Sequence, residues 1–312
     1  KIAEEKRKIG GNMGIIGRHS FELCSRPRII SSASYVGDKE GKGPLRECFD
    51  KICRDDTLGL DSWEQAESRM FESAVRVALA KIKRQSDDLS CLLGGDLLNQ
   101  IISSGFAARE IRAPFIGLYG ACSTISEGLM LGGMLVDGGF AELAACAASS
   151  HFSAAERQFR YPLEMGVQAV PSSQRTVTGA GSIIIQAAGE FRPGAGNVFE
   201  HVALTGGTIG SVEDFGITDA NNMGAAMAPA AFKTIKTHLS DYSRRVEDYD
   251  RIITGDLGIF GSDMLYELLR GEGIEIADRH EDCGKLMFSP EQNVNCGASG
   301  CGCAATVMSS WF

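Results

Sequence analysis

Long hydrophobic runs are absent from this sequence of 312 residues. A helix that crosses a membrane needs about 18 or more consecutive apolar residues. The best candidate, residues 129–136, is too short and is interrupted by glycines. The sequence therefore predicts no transmembrane segment.

An excess of basic residues is absent as well. The chain carries 31 lysines and arginines against 40 aspartates and glutamates, which gives a net charge of −9 at pH 7. Proteins that bind nucleic acid generally present a basic face to the phosphate backbone. The charge balance argues against a nucleic-acid partner, although it leaves room for a local cationic pocket that holds a small anion.

Metal-binding cysteine spacing is also missing. Ten cysteines are scattered along the chain without a Cys-x-x-Cys pair or another zinc-type spacing. His280, Asp282 and Cys283 lie close together, but their spacing fits no zinc pattern, and a polar loop is the better interpretation. We expect no metal and no cofactor, and the many free thiols indicate a reducing, intracellular compartment.

An internal repeat is the main positive feature. Residues 83–97 read KRQSDDLSCLLGGDL and residues 243–257 read SRRVEDYDRIITGDL, so that Asp96 and Asp256 occupy the same place in the two copies. Each copy passes from the basic end of an amphipathic helix through an acidic turn into a short apolar strand. This is the helix-to-strand part of a βαβ unit.

A second pair of short turns supports the duplication, because YGACS at residues 119–123 is matched by CGASG at residues 296–300. We therefore expect two halves of one α/β topology, at residues 12–195 and 196–312, packed as a layered αβαβα sandwich. The first half continues past its turn with a helix and further strands, whereas few residues follow the second turn. We expect the C-terminal half to be incomplete.

Hydrophobic periodicity predicts the individual elements. In the first half it predicts strands at residues 28–33, 90–94, 115–119, 142–147 and 176–187, and helices at residues 62–84, 97–110 and 123–137. In the second half it predicts strands at residues 201–206, 251–254 and 274–276, and helices at residues 222–239 and 261–272.

Cys122 is the sharpest single candidate for chemistry. It lies in a Gly-Ala-Cys-Ser turn between a predicted strand and a predicted helix. The unpaired N–H groups and the dipole at a helix N-terminus favour a thiolate, and the same groups bind carboxylates. The alternative is a small buried cysteine that only packs, as most of the ten are expected to do.

Polar side chains elsewhere are candidates for binding an anion. Arg157 and Arg160 flank Gln158 and could clamp carboxylates, but surface arginines paired with acids are about equally expected. His151, which opens this segment, is more often structural than catalytic when it stands alone.

Three acidic or amide side chains are placed at strand ends or before a helix. Asp96 and Asn99 follow the strand of the first repeat, where open α/β sheets place ligands, and capping of the next helix is the alternative. Asp219 either lines a pocket or caps the helix that we expect to begin near residues 227–229.

With these segments identified, the chain resembles the stage V sporulation protein AD family, a thiolase-like group of spore-forming bacteria. The resemblance covers nearly the whole chain in order. Its most specific stretches are GLYGACSTISEG at residues 117–128, SSHFSAAERQFRYPLE at 149–164, TVTGAGS at 176–182, GITDANNMGAAMAPAA at 216–231 and GASGCGCAA at 297–305.

The resemblance implies a thiolase-like five-layered αβαβα sandwich and a function. Members of this family bind dipicolinic acid, which is pyridine-2,6-dicarboxylate, and are needed for its uptake into the developing spore. The resemblance also implies that the chain acts with the other stage V sporulation A proteins, peripherally at the forespore or spore inner membrane, and that it forms a homodimer.

The resemblance places Cys122 where thiolase-like enzymes keep their nucleophile. Such enzymes pair the cysteine with a histidine of the second half, but residues 254–258 read TGDLG. A thiolate without an acid–base partner is poorly equipped for acyl condensation. We therefore expect a protein that binds dipicolinic acid, free or as its calcium chelate, and that is not an enzyme.

Two alternatives stay open, a thiolase-like acyltransferase that uses Cys122 and a scaffold that docks partner proteins. For the leading hypothesis, donors for two carboxylates and a flat apolar slot are needed. The expected ligand-binding residues are Asp96, Asn99, Cys122, Ser123, His151, Arg157, Gln158, Arg160, Thr178, Asp219 and Met227.

Overall fold

The computed structural model describes residues 14–159, 170–188, 202–219 and 221–312. Arg160 and the predicted boundary between residues 195 and 196 lie outside these ranges, as does the start of the strand predicted at residues 201–206.

The strands and helices alternate along most of the chain. The strands are β1 (Ile15–Ile16), β2 (Ser20–Glu22), β3 (Arg28–Val36), β4 (Lys51–Ile52), β5 (Cys91–Gly95), β6 (Phe115–Gly117), β7 (Leu143–Ser150), β8 (Arg175–Thr176), β9 (Gly179–Gln186), β10 (Gly206–Thr208), β11 (Ile252–Thr254), β12 (His280–Asp282) and β13 (Ala298–Ser299). The helices are α1 (Trp63–Lys81), α2 (Ile102–Ile111), α3 (Thr124–Asp137), α4 (Phe152–Phe159), α5 (Met223–Asp241), α6 (Gly258–Arg270), α7 (Cys283–Leu286) and α8 (Cys301–Met308).

A six-stranded sheet organises the first half, in the order β4-β3-β9-β7-β5-β6. β5 pairs in parallel with both β6 and β7, and β9 runs antiparallel between β7 and β3. Every residue of β7 and β9 is buried, which is expected of central strands covered on both faces. The α/β class predicted from the sequence is confirmed.

Helices cover both faces of this sheet. On one face, α1 buries a stripe that includes Met70, Phe71 and Val75 at helical spacing, and α2 packs beside it. On the other face, α3 packs together with α8, whose Cys301 and Ala305 are buried against the sheet. A helix of the second half therefore completes the core of the first, which brings the two repeats into contact.

The second half holds less sheet structure among the described residues. β11 and β12 form a parallel pair, in which Ile252 lies opposite His280 and Thr254 opposite Asp282. The long helices α5 and α6 pack closely at Gly224. A Cβ added at Gly224 would lie only 2.8 Å from the Gly261 backbone nitrogen. None of the described helices is both long enough and apolar enough to cross a bilayer.

Several sequence predictions about the second half are wrong. Residues 274–276 form no strand, and the strand beside β11 is β12, inside the segment interpreted as a polar loop. His280 is buried there because its ring bonds to Thr254 and Tyr266, which a local pattern does not reveal.

Two predicted helix starts are also wrong. The helix predicted from residue 97 begins at Ile102, because residues 96–101 turn back to the carboxylate of Asp96. The helix predicted at residues 222–239 is confirmed and begins at Met223, where the Asn222 side chain accepts the Ala225 N–H. The later start expected near residues 227–229 is wrong, and Pro229 lies inside the helix.

Gly95 and Gly255 occupy the same place in the two repeats, so substitutions there compare the packing at equivalent positions. An added methyl carbon on Gly95 would lie 1.9 Å from the Leu118 carbonyl oxygen, whereas on Gly255 its nearest neighbour would be the Ala304 Cβ at 3.4 Å. We expect Gly95→Ala to lower the free energy of unfolding by about 1–3 kcal/mol, a typical cost of overpacking. Gly255→Ala, the control, should change it much less in urea denaturation, and equal effects of the two substitutions would contradict this packing.

Candidate functional site

The Cys122 turn joins the edge strand of the large sheet to α3. A single 3₁₀ turn, Ala121–Ser123, lies between β6 and α3. Ala121 adopts a left-handed backbone conformation with φ of 49°, and the exposed Ser123 donates its hydroxyl to the Gly120 carbonyl oxygen at 2.8 Å. The turn lies at the carboxyl end of parallel strands, where α/β sheets bind ligands.

The Cys122 thiol faces a carboxylate from the second repeat. Cys122 is half-buried, and its turn packs against the end of β11, where a Cβ on Gly255 would lie 4.0 Å from the Cys122 carbonyl oxygen. The Gly300 N–H donates to the same carboxylate at 2.9 Å. Asp256 is buried, and burial raises its pKa to about 6. The site is therefore assembled from both halves of the duplicated chain.

The structure opposes the thiolate that a helix N-terminus would favour at Cys122. Burial, followed by the charge of Asp256, raises the pKa of Cys122 well above its usual value, and the Gly300 N–H opposes this only in part. The predicted helix-dipole effect does not dominate, because α3 begins only after the 3₁₀ turn and a carboxylate lies beside the sulfur.

Histidine does not contact Cys122 among the residues that the structure describes. His151 bonds to the Asp56 carbonyl oxygen, His238 to Thr208 and Tyr249, and His280 to Thr254 and Tyr266, while His19 is exposed near the N-terminal strand pair. The described site thus provides a thiol and a carboxylate, without an imidazole to transfer protons.

Asn99 and Gln158 contact each other in a groove whose described lining does not include Cys122 or Ser123. The Asn99 N–H donates to the Gln158 side-chain oxygen at 3.3 Å. The Tyr119 hydroxyl, three residues before Cys122, donates to the Asn99 side-chain oxygen. Both residues line a groove of about 730 Å³ that also contains Leu98 and Phe106.

Arg157 is already engaged by its neighbours. Its guanidinium forms an ion pair with Glu64 and lies over the Trp63 ring, 5.1 Å from the centroid. This is the alternative that the sequence left open for one of the two arginines. Trp63 also stacks near His151, with ring centroids 6.5 Å apart.

The two repeat aspartates have different roles. Asp96 accepts hydrogen bonds from the Leu98 and Ser104 N–H groups and from the Ser104 hydroxyl, so that it caps α2. In the second half the N–H groups of Leu257 and Gly258, at the start of α6, instead donate to Asp282 at 2.9 Å. The prediction that at least one repeat aspartate caps a helix is confirmed for Asp96.

His151 and Thr178 lie in a second buried polar cluster, with Glu40 and Arg175. The Thr178 N–H donates to Glu40 at 3.1 Å, and the Thr178 hydroxyl accepts the Phe152 N–H. Burial raises the pKa of Glu40 to about 7, and the charge of Arg175 opposes this. Sequence reasoning missed Glu40 and Arg175, because isolated charges in charged or polar stretches look like surface residues.

Asp219 and Met227 make their described contacts around α5. Asp219 is exposed and accepts the Asn221 N–H, and the capping role proposed for it belongs to Asn222. Met227 packs against the core of the second half. Their assignment as ligand-binding residues, like that of the other candidates, stays a prediction.

The family of the chain is shown by comparison with known proteins. A family model described as Stage V sporulation protein AD matches residues 17–312. The chain belongs to the stage V sporulation protein AD family. A curated relative, Stage V sporulation protein AD of Bacillus subtilis (strain 168), is 43% identical over 299 residues, which cover 96% of this chain and 85% of the relative. Membership supports a role in sporulation.

Solved structures share the fold at low identity. The 3-oxoacyl-(acyl carrier protein) synthase III of Pseudomonas aeruginosa PAO1 matches with a TM-score of 0.55 at 13% identity, over 91% of this chain and 88% of that one. A variant of Xanthomonas campestris OleA matches with a TM-score of 0.60 at 14% identity, over 91% and 89%. These likenesses confirm the predicted thiolase-like fold and, at this identity, show the fold alone.

The buried acids predict how stability depends on pH. Folding raises the pKa of Glu40 from 4.5 to about 7 and that of Asp256 from 3.8 to about 6, so each stabilises the fold fully only below its unfolded pKa. We expect the free energy of unfolding to fall as the pH rises through about 4.5–7. Glu40→Gln should remove up to about 3 kcal/mol of this dependence, since one pKa unit corresponds to about 1.36 kcal/mol.

Urea denaturation at a series of pH values measures this effect. Glu47→Gln is the control, because Glu47 is exposed and the change should leave the pH dependence as it is. Two results would contradict this account of a carboxyl whose pKa is raised by burial. One is a wild-type free energy of unfolding that rises with pH over this window, and the other is a Glu40→Gln variant with the same pH dependence as the wild type.

Proposed function

We propose that this protein binds dipicolinic acid, free or as its calcium chelate, beside the Cys122 turn. In this proposal it supports uptake of the ligand into the developing spore and does not catalyse acyl transfer. The sporulation role rests on the family, and the choice of ligand rests on the family resemblance together with the chemistry of the site.

The buried carboxylate of Asp256, held by the Gly300 N–H where the second repeat meets the Cys122 turn, is the observation that carries the proposal. An attacking cysteine needs a thiolate and a base, whereas this thiol is held protonated by burial and by a neighbouring carboxylate. The Gly300 N–H, a donor that could stabilise an oxyanion at the thiol, is bonded to Asp256. These features favour reversible binding over turnover.

The groove beside the turn supports recognition of a flat dicarboxylate. The Asn99 side-chain oxygen accepts from Tyr119 and the Gln158 side-chain oxygen accepts from the Asn99 N–H. These two bonds engage only the amide oxygens, so the NH₂ group of each amide can donate to a carboxylate. Leu98 and Phe106 supply apolar surface for a pyridine ring.

The proposal includes a homodimer that forms through β6. This strand is at the edge of the large sheet, so that one side of its backbone is free to pair. Ile116 and Tyr119 are exposed along the same edge. A second copy would cover these apolar side chains and lie close to the Cys122 turn. The other proposed partners are the remaining stage V sporulation A proteins, at the forespore or spore inner membrane.

Calorimetric titration with dipicolinic acid tests the binding proposal. We expect saturable binding that weakens about tenfold or more in Asn99→Ala or Gln158→Ala, since a hydrogen bond to a charged group contributes about 1.5–3 kcal/mol. Gln85→Ala, an exposed amide in the turn after α1, is the matched control and should bind like the wild type. No binding by the folded wild-type protein, with or without calcium, would overturn the proposal.

The fold favours one alternative, an acyltransferase that uses Cys122, because the matching solved structures include a 3-oxoacyl-(acyl carrier protein) synthase. We expect that incubation with an acyl thioester leaves no covalent adduct on Cys122 in intact-protein mass spectrometry. A stoichiometric acyl adduct on Cys122, absent in Cys122→Ser, would support the enzyme instead.

A further inference from the structure

Three side-chain atoms in the polar cluster around Thr178 are buried and have no hydrogen-bond partner among the described residues. They are Glu40 Oε2, His151 Nδ1 and Arg175 Nε. Glu40 and His151 are each only 1% exposed. Burying a polar group without a partner is costly, so folded proteins nearly always satisfy such groups with protein, water or a ligand. Three of them in one cluster indicate a place for a polar molecule.

A series of short contacts holds these side chains in the same region. The Arg175 guanidinium lies over the Phe152 ring, 3.6 Å from its centroid, and the Phe152 N–H donates to the Thr178 hydroxyl at 3.1 Å. The Thr178 N–H in turn donates to the other Glu40 oxygen, Oε1, at 3.1 Å. His151 directly precedes Phe152 in the chain. The unpartnered atoms therefore lie near one another, beside the place where β7 ends and β9 begins.

The hydrogen bond of His151 determines what its partner must supply. His151 Nε2 contacts the Asp56 carbonyl oxygen at 2.9 Å, and because a carbonyl can only accept, Nε2 carries the proton. Burial lowers the pKa of His151, so the ring is neutral near pH 7 and Nδ1 is an acceptor. A molecule bound at Nδ1 must therefore donate a hydrogen bond.

Arg175 and Lys39 supply the opposite requirement, a negative charge. Neither cation forms an ion pair within the part of the chain that the structure describes. Burial, and after it the charge of Arg175, lowers the pKa of Lys39, which agrees with the two cations being neighbours. Two neighbouring cations without a paired carboxylate favour an anion, and a guanidinium can donate to both oxygens of a carboxylate.

We propose that Lys39, Glu40, His151 and Arg175, called here the Arg175 cluster, form a second ligand site for a small carboxylate that also carries a hydroxyl or amino donor. The carboxylate accepts from Arg175 and Lys39, and the donor bonds to His151 Nδ1 or Glu40 Oε2. A 2-hydroxy or 2-amino carboxylate carries both groups on adjacent carbons. The inference goes beyond the proposed function, because none of these four residues lines the groove that contains Asn99.

Ligand-observed NMR titration of the folded protein with glycolate, a 2-hydroxy carboxylate, tests this site in a buffer free of other carboxylates. We expect saturable binding. Acetate keeps the carboxylate but lacks the hydroxyl, so it leaves His151 Nδ1 without a donor. We therefore expect acetate to bind about tenfold more weakly than glycolate.

Two substitutions separate the two requirements of the site. Arg175→Met keeps an apolar side chain over Phe152 and removes the charge, and it should weaken binding of both acids about tenfold or more. His151→Gln keeps an amide that can donate to the Asp56 carbonyl oxygen but removes Nδ1. It should lower the affinity for glycolate to that for acetate and leave acetate binding as it is.

Arg251→Met is the matched control, because Arg251 is exposed and lies outside the cluster, and it should bind both acids like the wild type. Lys39→Met, at a half-exposed position, is the second variant should Arg175→Met fail to fold. It should weaken binding of both acids in the same direction.

Three results would overturn the inference. The first is no saturable binding of glycolate by the folded wild-type protein, which would leave ordered water as the partner of the buried atoms. The others are equal affinities for glycolate and acetate, and unchanged glycolate binding in the folded Arg175→Met or Lys39→Met variant. Dipicolinic acid is not used in these titrations, so their failure is distinguishable from failure of the proposed function.

Discussion

The packing of the Cys122 turn against the Gly255–Asp256 end of β11 is the contact on which the site depends. It joins a turn of the first half to the strand end of the second, and the Gly300 N–H at the start of α8 fixes the carboxylate in place. Because α8 also completes the core of the first half, the geometry of the thiol follows from the packing of the two repeats. Burial and the charge of Asp256 both raise the pKa of the Cys122 thiol at this edge of the sheet.

The two repeats have diverged at equivalent positions. The strands β5 and β11 end in the same Gly-Asp-Leu sequence, yet Asp96 caps a helix whereas Asp256 faces a thiol. The glycines differ too, because Gly95 is pressed against the Leu118 carbonyl and Gly255 is not. The thiolase-like fold thus keeps its cysteine turn while the chemistry around the sulfur changes.

Much of the fold could be predicted from local patterns, and the details of the site could not. The strands β3, β5, β7 and β9 lie where apolar runs predicted them, since buried central strands need such runs. β12 was missed because His280–Asp282 is polar, and its burial depends on partners distant in sequence. The raised pKa of Cys122 could not be predicted for the same reason, because the local helix favours a thiolate but burial and a carboxylate from the other half oppose it.

A crystal structure of the protein with dipicolinic acid bound is the most direct test of the central claim, that the Cys122 turn binds a dicarboxylate without reacting with it. We expect the ligand in the groove beside the turn, with its carboxylates accepting from the Asn99 and Gln158 amides and the Cys122 sulfur still facing Asp256. Ligand density continuous with the Cys122 sulfur, or a ligand bound away from this turn, would contradict the claim.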